Sequence, residues 1–83
     1  MKIWIVEGTT GEYSDRDDWV VCAYTSQEKA ENHASKAMRR AKEIQKDRLT
    51  RYSAPKSSNE FDPKMRMDYT GTEYYVIECE LKD

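Results

Sequence analysis

At 83 residues the chain has room for one small domain with a thin core. Charged residues make up 36% of it and hydrophobic residues 37%. No stretch reaches the ~18–20 uninterrupted apolar residues of a membrane-spanning helix, which excludes a transmembrane chain, and the length excludes a multi-domain enzyme.

Lys2 to about residue 7 predicts a first strand, because Ile3, Trp4, Ile5 and Val6 form a continuous β-branched and aromatic run. Residues 8–18 read as a polar connection with glycine, serine and aspartate turn chemistry. Residues 19–24, Trp-Val-Val-Cys-Ala-Tyr, predict a second strand, paired antiparallel with the first. Thr25 and Glu28 are spaced as a capping box. Ala30, Ala34, Ala37, Met38, Ala41 and Ile44 then recur at three- and four-residue steps, predicting an amphipathic helix over about 26–51. At ~1.5 Å per residue such a helix is about 39 Å long and outruns any short sheet. Residues 53–63, with both prolines of the chain, read as a loop. The alternation of Met65, Met67 and Tyr69 with Arg66 and Asp68 suggests a short strand over 64–69. Residues 72–81 are the clearest strand, with Tyr75, Ile77, Cys79 and Leu81 on one face and Glu78 and Glu80 on the other. The expected fold is α+β: an antiparallel sheet of three to four strands, order β-β-α-(β)-β, with one long helix on one face. The apolar first strand is expected at its centre, with the last strand beside it.

The formal net charge of -2 hides a segregated layout. Residues 1–35 carry three bases and seven acids, residues 36–56 eight bases and two acids, and residues 57–83 three bases and seven acids. Lys36, Arg39, Lys42 and Lys46 fall at three- and four-residue steps, so they share one helix stripe. They are the candidate contact with a partner or with nucleic acid, weighed against a solubilising face that also complements the helix dipole. A pI near 5.4 is far from that of a dedicated nucleic-acid binder. Glu12, Asp15, Asp17 and Asp18 form a candidate acidic contact loop, but they lack the glycine and terminal glutamate of a calcium loop.

Two cysteines, Cys22 and Cys79, and one histidine, His33, fall short of a zinc ligand set and have no metal-binding spacing. Both cysteines lie in apolar runs and read as small buried hydrophobes rather than a disulfide. His33 has no nucleophile at a motif spacing and reads as a boundary residue. Phosphate-binding glycine loops and hydrolase or zinc-protease motifs are missing, so no cofactor is expected and an enzyme is the least supported class.

Lys2-Ile-Trp-Ile-Val, Gly11-Glu-Tyr-Ser-Asp15, Val20-Val21, the run from Ala23 to Glu31 and Met67-Asp-Tyr-Thr-Gly-Thr72 together resemble a group of small phage and prophage proteins. The resemblance covers roughly two-thirds of the chain. No catalytic residue carries over from that group. What it implies is a phage-type or prophage-type accessory protein; together with the missing catalytic motifs and the segregated charge, the expectation is a cytoplasmic, non-enzymatic protein that binds a host protein or ribonucleoprotein, with anti-CRISPR-like inhibition of bacterial defence as one version. Direct nucleic-acid binding through the basic helix face is the alternative. A helix that outruns the sheet would expose Met38, Ile44, Leu49 and Tyr52, which favours a homodimer, weighed against a monomer in which the loop at 55–63 folds back and Phe61 and Met65 cover that end.

Overall fold

A computed structural model describes residues 1–50, 59–67 and 70–82, without the side chains of Tyr13 and residues 47–50. The elements are β1 (Lys2–Thr10), a single 3-10 turn (Tyr13–Asp15), β2 (Asp17–Tyr24), α1 (Gln27–Thr50) and β3 (Thr72–Glu80). The sheet has three antiparallel strands in the order β2-β1-β3, so the apolar first strand is central as expected. The fold is α+β, with α1 packed against the sheet and a β-β-α-β order.

Several expected boundaries move. β1 runs on to Thr10, because Gly8, Thr9 and Thr10 keep pairing with both neighbours. The connection to β2 therefore shrinks to residues 11–16, with Gly11 at φ 91 where the chain leaves the strand. The helix cap is Ser26 rather than the Thr25–Glu28 box: its Oγ accepts from the Lys29 amide at 3.4 Å and its carbonyl from the Ala30 amide. The short strand expected over 64–69 is not present in residues 64–67, which are turn and coil, and residues 68 and 69 lie outside the described residues. The alternating methionines serve packing instead: Met65 and Met67 lie against the core. Of the loop expected over 53–63, residues 59–63 are described and are irregular or turn.

The core is small-residue-rich on the helix and larger on the strands. Ala30, Ala34, Ala37, Ala41 and Ile44 face Val6 and Tyr74, and all are buried. Trp4, Val21, Cys22, Tyr24, Met38 and Val76 close the rim. Alanine lets the helix backbone approach the sheet, and the strand aromatics fill the space left over. Ile44 is only 3% exposed and Met38 packs on the core, so neither is the exposed overhang that was expected. Leu49 and Tyr52 fall outside the described side chains.

A register shift between Val6 and Glu7 makes Val21 an extra residue in β2. Val21 and Cys22 consequently both lie against the core, and simple alternation fails there. β3 keeps Tyr75, Ile77 and Cys79 on one face and Glu78 and Glu80 on the other, as expected, and its register decides which face is covered. Val76 lies opposite Val6, which turns Tyr74 and Val76 inward and leaves Tyr75, Ile77 and Cys79 on the face away from α1.

The segment 59–67 folds back over the inner face. Asn59 Nδ2 donates to the Ala37 carbonyl at 3.0 Å, and Asn59 Oδ1 accepts from the Phe61 amide. Asp62 Oδ2 accepts from Trp19 Nε1 and from the Tyr74 hydroxyl, each at 2.8 Å. This segment therefore ties β2, β3 and α1 together. The two free cysteines sit on the two edge strands, Cys22 half-buried and Cys79 exposed.

Candidate functional site

The pole of α1 opposite the alanine stripe is the basic face. Ala30, Ala34, Ala37, Ala41 and Ile44 point at the sheet, and at 100° per residue Lys36, Arg39, Lys42 and Lys46 fall on the far side. All four are exposed. Their neighbour Arg40 is half-buried and pairs with Glu43 at 3.1 Å. The helix thus brings the four cations of the expected stripe onto one solvent-facing surface. Two shallow grooves flank it. Met38 and Tyr74 help floor the one beside Arg39 and Lys42, and Phe61 floors the one beside Lys36 and Arg39. A partner laid on this face meets cations flanked by apolar patches, with Glu43 and Glu60 beside the groove that Phe61 floors.

The acidic loop is more dispersed than its sequence suggests. Glu12 and Asp15 are exposed around the 3-10 turn, and the Asp15 amide donates to the Glu12 carbonyl. Asp17 is ion-paired with Arg66, which crosses from the 59–67 segment. Asp18 pairs with Arg16 at 3.1 Å. A hydrogen bond from the Thr9 hydroxyl, and then Arg16, hold the Asp18 carboxyl below its usual range. Among the described residues, no group of three or more histidine, cysteine, aspartate or glutamate side chains converges as a metal site.

His33 lies between Tyr24 and Phe61, half-buried, as a boundary residue should. Its Nε2 is 2.7 Å from the Phe61 carbonyl, which can only accept, so Nε2 carries the proton. Nδ1 then accepts from the Tyr24 hydroxyl at 2.8 Å. Both ring nitrogens are occupied in holding the 59–67 segment to α1 and β2. Burial pushes the Cys22 thiol up, which keeps it protonated and a poor nucleophile.

Asn59 and Asp62 were not foreseen. They stand in Ser-Asn-Glu-Phe-Asp-Pro, where asparagine and aspartate before proline read as turn formers. The available signal was on the partners of Asp62: a half-buried tryptophan and a core tyrosine need acceptors for an N–H and an O–H. Among the described residues no helix is long and apolar enough to cross a membrane. Comparison with protein-family models, curated proteins and solved structures finds no match to this chain.

Proposed function

We propose that this is a small, non-enzymatic accessory protein of phage type that acts by binding a host macromolecule, and that the outer face of α1 is a contact surface. The observation that supports it is the exposure of Lys36, Arg39 and Lys42 on the pole opposite the core. Inhibition of a bacterial defence complex, in the manner of anti-CRISPR proteins, is the specific version. The protein acts in the cytoplasm of the host cell and needs no cofactor.

Affinity capture from nuclease-treated bacterial lysate tests this reading, with wild type beside the Arg39→Glu/Lys42→Glu variant. Wild type recovers a defined protein or ribonucleoprotein complex and the variant loses it. Repeated empty captures, or equal recovery by both proteins, overturn the reading.

Direct nucleic-acid binding is the second reading, supported by the same stripe because lysine and arginine release counterions from phosphates. A gel-shift titration at low and moderate salt decides it. Charge reversal at Lys36, Arg39, Lys42 and Lys46 should abolish a salt-sensitive shift, and no shift by wild type at low salt removes this reading.

A further inference from the structure

The two faces of the sheet are unequally covered. α1 and the 59–67 segment close the inner face over Val6 and Tyr74. On the other face, Ile5 lies between Ala23 and Ile77, and Ile3 lies beside Cys79. Val20 is 65% exposed, Ile77 40% and Leu81 50%, far more than a sheet face shows when something covers it. The opposite end of this open face is acidic. Glu7 lies between Val20 and Tyr75, and Thr9 lies between Asp18 and Glu73. Arg16 offsets part of that charge through Asp18. Lys2 and the N-terminal ammonium are engaged instead with Glu78 and Glu80. The open face is therefore apolar at one end and net negative at the other.

We propose that this open face docks one amphipathic helix of a partner protein, apolar where it crosses Ile5, Ile77 and Leu81 and bearing lysine or arginine where it crosses Glu7 and Glu73. Three arguments select that occupant. The first is shape. Strands of nine, nine and eight residues spaced ~4.8 Å apart, at ~3.3 Å per residue, make a face about 30 Å long and little more than 10 Å wide. That is the footprint of a single helix ~10 Å across, and α1 covers the other face of the same strands in this manner. The second is charge. Burying Glu7 and Glu73 under an apolar cover would strip water from two carboxylates, so the cover must bring cations to that end. The same carboxylates repel an anionic lipid surface.

The third argument removes a second copy of this chain. Face-to-face stacking about a two-fold axis along the strands sets the acidic ends against each other. An axis across the strands lays each acidic end on the partner's apolar end. Both arrangements bury uncompensated carboxylates. The plan area, about 350 Å² a side, is also that of a transient contact rather than a permanent dimer. This surface is independent of the basic pole of α1, which lies on the other side of the molecule.

A synthetic amphipathic helical peptide of about 18 residues, matched to the ~30 Å face, is the probe. It carries a leucine and alanine stripe, with lysines continuing that stripe at one end. Its twin carries glutamates at those positions. Titration by fluorescence anisotropy should show the lysine peptide binding about ten-fold tighter than the twin, a difference of ~1.4 kcal/mol. Ile77→Glu should weaken the lysine peptide by about the same factor, with Leu81→Glu at the apolar end as the second variant should Ile77→Glu fail to fold by circular dichroism. Glu7→Lys with Glu73→Lys should reverse the preference in favour of the glutamate twin. Equal binding of the two peptides, unchanged binding by a folded Ile77→Glu or Leu81→Glu protein, or no reversal overturns the proposal. A dimer in light scattering that Leu81→Glu splits also overturns it, by giving the face to a second copy.

Discussion

Asp62 accepts hydrogen bonds from Trp19 on β2 and Tyr74 on β3 while being only 2% exposed, so one carboxylate fixes both edge strands to the segment that follows α1. Asp62→Ala leaves a half-buried N–H and a buried O–H without that acceptor, at a cost of about 2–3 kcal/mol, read as a lower urea midpoint of tryptophan fluorescence. Gly8 depends on the same contact. A Cβ built there would lie 2.6 Å from the Trp19 ring, and the ring is held in place by Asp62. Gly8→Ala is therefore expected to destabilise by about 1–3 kcal/mol, and less in the Asp62→Ala background, where the indole is free to move. A double-mutant cycle by urea unfolding measures that coupling. Tyr74 supplies the pH dependence. Burial, and then the Asp62 carboxylate, push its phenol far above the ordinary value of 10.0. The folded state thus holds the proton more tightly than the unfolded chain, so this stabilisation is complete below pH 10.0 and falls as pH rises above it. Alkaline titration followed by tyrosinate absorbance should show Tyr74 ionising together with unfolding, and Tyr74→Phe should flatten the alkaline part of the stability curve.

At the level of elements, the sequence was most informative where one periodicity ran without interruption. The alanine steps from Ala30 to Ala41 specify both the helix and its buried face, and the β-branched run of β1 specifies the central strand. Three features escaped for identifiable reasons. The bulge at Val21 is a pairing event, and no residue type marks it in a run of apolar residues. The facing of β3 is decided by its register against Val6, which turns Tyr74 and Val76 towards α1 and segment 59–67 and leaves its most apolar side outward. The latch of Asn59 and Asp62 looks like a turn, since the same side chains that cap turns also accept from distant donors. The basic stripe was legible because it follows from helical spacing alone, and one helix on a three-stranded sheet implies a second face left partly open, whereas the side chains that line that face were not legible, because they depend on the register. The helix cap is the element-scale test. Ser26→Ala should cost about 1 kcal/mol in thermal unfolding, and Thr25→Ala close to nothing, because the Lys29 amide is bonded to Ser26.

For the whole molecule, the cations of α1 and the acids of the hairpin end are held apart by the sheet, and this separation bears on function rather than on stability. Lys36, Arg39 and Lys42 are exposed, and the ion pairs of the described residues lie elsewhere, as in Arg40–Glu43, Arg16–Asp18 and Arg66–Asp17. A solvated cation at a helix pole contributes little to folding. The Arg39→Glu/Lys42→Glu protein should therefore unfold within about 0.5 kcal/mol of wild type, with the same dependence on urea. Were the stripe present for the helix alone, reversing Arg39, four residues before Glu43, and Lys42 would lower stability by setting like charges together along α1, and salt would narrow the gap by screening them. Urea unfolding at low and at high salt separates the two cases. Equal stability of the two proteins at both salt concentrations, combined with loss of the captured complex by the variant, assigns the stripe to binding. A stability loss above ~1 kcal/mol at low salt that shrinks at high salt assigns it to the helix and leaves the outer face of α1 without a recognition role.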